Sequence, residues 1–407
     1  MTEASITRQD SPGPEPTLAG LGEFGLIGEL SSRLPAGPGT LVGIGDDAAV
    51  LAAPDGRVVA TTDFLIEGRH FRRDWSSGAD AGHKAAARSL ADLAAMGADP
   101  SGLLLALAAP PDLPVSWARD LARGLAAEAA RAGAAVIGGD TARAGTVLLA
   151  VTGLGNLAGR DPVLRSGAKP GDVVAVAGPL GHAAAGLALL TTGLTPGIRE
   201  NPLVSEHLRP MPPYAAGPEA ATLGATAMID VSDGLLADLG HIARASGVLV
   251  DLDPDRLGPD DGLLTAAASL LSGRTGRPQA PVPPSSPGGQ ALAWVLTGGE
   301  DHSLAATFPP GTRLPARWRI IGTVKARPAE ARPAESRPAE SRAESRPAES
   351  RAESRLAESR AEENRMPETR TADAHAGRSG NGDVVVGGQP WEQPPGWDHF
   401  AAGTPSG

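Results

Sequence analysis

The stretch Leu41–Leu51, LVGIGDDAAVL, decides how the chain is read. A short apolar run ends in Gly43, Gly45 and two adjacent carboxylates, Asp46 and Asp47, before an apolar run resumes. Adjacent Asp side chains between hydrophobic segments repel each other and are costly to bury unpaired. A hard divalent cation, Mg²⁺ or Ca²⁺, resolves that conflict. The glycines let the backbone turn tightly and come close to a ligand. In isolation an exposed GDD turn explains the same residues, so the rest of the chain has to decide.

The pattern recurs. VVATTD ends in Asp63, AAVIGGD in Asp140, TAMIDVSDG in Asp230, Ser232 and Asp233, and ALAWVLTGGED in Glu300 and Asp301. Each time a strand-like apolar run delivers a carboxylate at its C-terminal end, mostly beside glycine. Strand C-terminal ends are where α/β sheets place ligands. The repetition predicts one convergent anionic site, tenable only around metal ions and metal-bound phosphates.

Composition sets independent bounds. The 407 residues fit two ordinary domains plus extras. Hydrophobic residues make up 41% but aromatics only 3%, so packing must rest on Ala, Leu and Val. With 53 Gly and 38 Pro, many turns and some unstructured segments are expected. A net charge of −11 argues against general nucleic-acid binding. The absence of Cys excludes disulfides, thiolate metal sites and cysteine nucleophiles. No apolar run reaches membrane-spanning length, and the N-terminus lacks the form of a signal peptide, so a soluble cytoplasmic protein is expected.

Taken in order, GEFGLI (Gly22–Ile27), GIGDDAAV (Gly43–Val50), TTDFLIEGRHF (Thr61–Phe71), SLADLAAMGADP (Ser89–Pro100), IGGDTAR (Ile137–Arg143), RSGAKPGD (Arg165–Asp172), IDVSDGLLADLGHI (Ile229–Ile242), TGGED (Thr297–Asp301) and WDHF (Trp397–Phe400) resemble thiamine-monophosphate kinase. That family belongs to the ATP-binding superfamily that includes aminoimidazole ribonucleotide synthetase. The resemblance implies an α/β (α+β), two-domain, PurM-like architecture, with a mixed N-terminal sheet carrying helices on one face and a C-terminal α+β domain. It implies direct, Mg²⁺-assisted transfer of a phosphoryl group from ATP to thiamine monophosphate, giving thiamine diphosphate, in a homodimer whose N-terminal strands form a shared barrel.

Carried over by motif, Asp47, Thr61, Thr62, Asp63, Asp92, Asp140, Asp230 and Asp233 match metal-site positions. Gly139, Arg165 and Ser232 match ATP contacts, and His70, Glu300 and Trp397 match substrate contacts. Ser89, Ala91 and His302 depart from the residues usual in relatives, which are Asn, Ser and Tyr. No P-loop GxxxxGK[ST] and no protein-kinase HRD or DFG set is present. The alternatives are another ATP-using enzyme of the superfamily and a non-catalytic nucleotide-binding protein. Superfamily members that rely on a reactive Cys or Sec are disfavoured by the composition.

The expected organisation is a disordered tail over 1–19, an N-terminal domain over 20–160, and a C-terminal domain over 161–325 plus 383–400. Between its two parts lies a low-complexity insertion, 326–382. The insertion repeats RPAES and RAES units with nearly balanced Arg and Glu and cannot bury a core. Helices are predicted over Gly22–Leu34, Asp80–Gly97, Trp117–Ala132, Gly181–Leu190 and Leu235–Ala245. In the first, Phe24, Ile27, Leu30 and Leu34 would form the apolar face. Leu103–Pro110 reads as a strand buried on both faces, and Trp294–Leu296 as a strand leading into GGED. His207 and Arg209 are placed in a proline-rich loop. Ile320–Val324 and Val384–Val386 would flank the insertion as strands, in a hairpin or loop.

Overall fold

The computed structural model describes residues 15–44, 48–193, 197–257, 262–272, 287–328 and 383–391. Almost all of the expected insertion lies outside them, as do Asp47 and Trp397. In chain order the first half carries α1 (Leu18–Ser31), β1 (Thr40–Val42), β2 (Val50–Leu51), β3 (Val59–Ile66), α2 (Gly78–Ala95), β4 (Asp99–Ala109), α3 (Val115–Arg131), β5 (Ala135–Arg143) and β6 (Leu148–Asn156). The second half carries β7 (Val173–Ala177), α4 (His182–Thr191), α5 (Pro202–Leu208), α6 (Ala216–Thr222), β8 (Ala227–Val231), α7 (Leu235–Ser246), β9 (Val248–Leu252), α8 (Leu263–Ser272), α9 (Pro287–Thr297), β10 (Ser303–Phe308), β11 (Trp318–Ala326), β12 (Val384–Val386) and β13 (Gln389–Pro390).

The first sheet runs β3-β6-β4-β5, antiparallel except for the parallel β4–β5 pair. Helices α2 and α3 cover one face. They approach so closely that a methyl group on Gly82 would stand 2.1 Å from the Leu121 carbonyl oxygen, and one on Gly124 2.1 Å from that of Ala79. α2 starts with a reciprocal capping box between Ser77 and Asp80. On the other face β2 brings Leu51 against Gly102 at one end, and the rest is left largely open. β4 therefore alternates rather than being buried on both faces, with Leu105 and Leu107 inside and Ala106 exposed. The expectation of a doubly covered strand came from a run of Leu and Ala that fills both faces with apolar side chains.

The second sheet runs β13-β12-β9-β11-β7-β10-β8 and is antiparallel except for β12 beside β9. β12 pairs with β9 and not with β11, so the strands flanking the insertion are not a hairpin. The stretch predicted as a strand at Trp294–Leu296 is the last turn of α9. A short buried apolar run has no period that separates strand from helix. His207 lies buried in α5, whose start is set by the Asn201 cap and Pro202. α1 is kinked at Gly22, and beyond the kink it turns Leu26 and Leu30, four residues apart, inward and leaves Ile27 exposed.

Candidate active site

Helix α2 builds the site. Lys84, Arg88 and Asp92 recur every fourth residue and so form one stripe along it. From β3, the hydroxyl of Thr61 donates to Asp92 Oδ2 at 2.6 Å, and Asp63 Oδ1 lies 3.6 Å from Arg88 Nη2. From the turn after α9, Glu300 Oε1 accepts Arg88 Nη1 at 2.5 Å, and Lys84 Nζ stands 3.1 Å from Oε2 as an ion pair. From β8, Asp230 Oδ2 meets His302 Nδ1 at 3.1 Å. One helix thus gathers groups from both sheets.

The electrostatics show how tightly the acids crowd. Burial, then the neighbouring Asp230 and Asp63, pushes the Asp92 carboxyl up to about 7. Burial pushes Glu300 up too, but Arg88 and Lys84 outweigh it and hold that carboxyl well below the usual range. Burial pulls the Lys84 ammonium down, opposed by Glu300. His70 accepts the Ile66 amide on Nδ1 at 3.0 Å, and its carbonyl accepts Lys84 Nζ at 3.2 Å.

The turn carrying Glu300 is strained. Glu300 has φ +70° and His302 φ +52°, conformations that cost a side chain about 1–3 kcal/mol each. They are held by hydrogen bonds from the Glu300 amide to the Ser232 carbonyl at 2.8 Å and from the His302 amide to that of Val231 at 2.9 Å. Asp301 accepts the amides of Gly181 at 2.5 Å and Ala183 at 2.8 Å, anchoring the turn to the start of α4. A methyl group on Gly299 would lie 2.5 Å from the Ser232 carbonyl oxygen, so the GG of GGED is a packing requirement.

Asp63, Asp92, Asp230, Thr61, Glu300 and His70 therefore converge. Ser232 and Asp233 lie at the adjoining β8–α7 turn. There the amides of Ser232, Asp233 and Gly234 all donate to Asp238 of α7 at 3.0–3.1 Å. The N-cap position itself is Gly234, with no side-chain cap, so the amides that open α7 are satisfied by Asp238 from within the helix.

Thr62 shares its sheet face with Phe64, away from α2, and bonds to Thr152. Asp140 is exposed and stands in the row Phe64–Ala150–Ala106–Asp140, on the face opposite Asp63. Within one chain Thr62 and Asp140 thus stand apart from Asp63. Gly139 lies in the Asp63 row, where a methyl group would meet the Leu105 carbonyl oxygen at 2.0 Å. Arg165 is exposed beside the far end of α7, its carbonyl accepting the Ser246 hydroxyl.

Lys84 and Arg88 escaped the sequence reading. Their signal was a charge every fourth residue in an otherwise Ala- and Leu-rich helix, which reads equally well as a solvated edge. Among the described residues no three His, Asp or Glu side chains stand close enough to hold one ion; Arg88, Thr61 and His302 occupy their carboxylates. The donor set still suits a hard cation, since Asp92 is pushed up by burial and then by two neighbouring carboxylates, whose repulsion such an ion would relieve.

Family models for the AIR synthase related protein match the chain, the N-terminal domain at residues 45–157 and the C-terminal domain at 169–277. A thiamine-monophosphate kinase of Mycobacterium tuberculosis is 47% identical over 316 residues, 77% of this chain and 88% of that protein. The crystal structure of thiamine-monophosphate kinase from Stenotrophomonas maltophilia superimposes with a TM-score of 0.59 at 34% identity, over 74% of this chain and 91% of that one. A structure of AaThiL complexed with AMPPCP and TMP does so with a TM-score of 0.61 at 27% identity, over 93% and 97%.

Proposed function

The chain belongs to the thiamine-monophosphate kinase family, and we propose that it transfers the terminal phosphoryl group of ATP to thiamine monophosphate, yielding ADP and thiamine diphosphate in thiamine diphosphate biosynthesis. The observation that carries the reading is the convergence of Asp63, Asp92 and Asp230 on the α2 stripe, beside Glu300 and His70. Phosphoryl transfer asks for in-line positioning and charge neutralisation more than for covalent chemistry. The acceptor is a phosphate oxygen, already ionised at neutral pH, so no dedicated base is needed.

Asp63, Asp92 and Asp230, with Thr61 and Asp233 beside them, would hold Mg²⁺. The chemistry supplied there would be charge neutralisation at the phosphates. His70, Glu300 and Trp397 would hold the acceptor, and Ser232, Gly139 and Arg165 the nucleotide. Asp47, Thr62 and Asp140 would join the metal set from outside this cluster. That placement calls for a second copy of the chain, and the largely open face bearing Thr62 and Asp140 offers room for one. Phe64 there is 55% exposed, and Ala106, in the same row across Ala150, is exposed too.

We further propose the domain division 20–160 and 161–325 with 383–400, and a cytoplasmic location. No helix among the described residues is long and apolar enough to cross a membrane. The test is chromatographic detection of thiamine diphosphate from ATP, Mg²⁺ and thiamine monophosphate. Product in step with ADP is expected, and its absence would overturn the kinase reading.

A further inference from the structure

Arg88 is 8% exposed, in a site crowded with acids. A buried guanidinium is costly unless it is paired. Here it pairs twice, with Glu300 at 2.5 Å and with Asp63 at 3.6 Å. Its Nε is buried and has no hydrogen-bond partner among the described residues. A donor left unused at such a depth is unusual. If charge balance at Glu300 were the only demand, Lys84 already meets it at 3.1 Å.

The position matters as much as the spare donor. Glu300, with His70 near it, belongs to the proposed acceptor side, and Asp63 to the proposed metal side. Arg88 touches both. In-line transfer requires the acceptor's own phosphate to lie between these groups. The planar guanidinium fork matches phosphate oxygens with more than one N–H at once.

We infer that Arg88 binds the phosphate group of thiamine monophosphate, as a resident cation set between the acceptor and metal sides of the site. This rests on the kinase reading. It adds a substrate contact that the motif comparison does not assign. Arg88 would recognise the phosphate of the acceptor and not its ring system, so it would discriminate thiamine monophosphate from thiamine.

The experiment compares wild type with Arg88→Gln and Arg88→Lys in the full chain. Three constants are measured: the KM for thiamine monophosphate, the KM for ATP and the inhibition constant of thiamine as competitor. Loss of hydrogen bonds to a charged group predicts a KM for thiamine monophosphate raised about tenfold or more in Arg88→Gln. The other two constants should stay within about threefold. Arg88→Lys, a point charge without the fork, should fall between the two. A merely structural Arg88 would move the thiamine constant in parallel with the KM, and that result, or an unchanged KM, overturns the inference. Should Arg88→Gln fail to fold by circular dichroism, Arg88→Lys carries the same test, a parallel change again overturning it. Absence of thiamine diphosphate from wild type would instead sink the kinase reading and this inference with it, before any variant is involved.

Discussion

The hydroxyl of Thr61 donates a 2.6 Å hydrogen bond to Asp92 Oδ2, tying strand β3 to helix α2 at the centre of the acid cluster. Thr61→Val removes that donor at almost constant volume. Partners that orient a metal-binding group typically contribute about 10–100-fold to affinity or activity. We expect a loss of that size in a Mg²⁺ titration of activity, with Thr61→Ser restoring most of it. A titration curve identical to wild type would remove Thr61 from the site.

Asp63→Ala should reduce turnover by more than about 100-fold, since a direct ligand outweighs an orienting partner. The fold should survive, because the Asp63 side chain is partly exposed and Arg88 keeps Glu300 as partner. Initial rates and a thermal melt decide the matter, and near-normal rates would exclude Asp63 from the metal set.

Gly82→Ala tests packing with no chemistry involved. The added methyl would be driven into the Leu121 carbonyl, 2.1 Å away, and backbone cannot rotate aside as a side chain can. Overpacking of this kind costs about 1–3 kcal/mol or more. A lowered urea midpoint with an unchanged slope is the expected result.

Asp301 gives a pH prediction. Burial raises its carboxyl to about 7, against the partial relief of the Ala183 and Gly181 amides. The folded value lies above the unfolded one, so the folded state holds the proton longer. The stability from this group is complete below about 4 and is lost as pH rises through about 7. Asp301→Asn cannot ionise. Its unfolding free energy relative to wild type should therefore improve between pH about 4 and about 7 and level off above. A difference independent of pH across melts in that range would refute this.

Phe64→Glu should shift the proposed dimer to monomer in sedimentation velocity, because it sets charge on a largely open sheet face where Phe64 is 55% exposed. A wild-type monomer would refute the proposed assembly outright.

Most element types were legible because period and punctuation agreed, as in α2, where an Ala-rich helical pattern runs to Gly97. Asp63 and Asp140 do not end their strands as expected, because β3 continues to Ile66 and β5 to Arg143, but the strand end at Asp230 could be read from an apolar run meeting acid. The α9 stretch could not, since ALAWVL is apolar throughout and only its neighbours choose helix. The partnering of β12 with β9 joins segments far apart in the chain, and no local signal records it. The face on which Asp140 falls depends on a register shift between Leu103 and Leu104, and a one-residue slip reverses every side chain of a strand. Lys84 and Arg88 looked like solvent-facing charges because their partners, Glu300 and Asp63, come from distant parts of the sequence.

The spacing of Lys84, Arg88 and Asp92 along one helix makes α2 intolerant of changes in length. A single inserted residue between positions 84 and 92 would rotate everything beyond it by roughly 100°. Asp92 would then swing away from Thr61 while Lys84 kept hold of Glu300. Insertions and deletions within this helix should thus be eliminated in descendants of the gene, and with 15 of its 18 residues buried few point replacements should be accepted either.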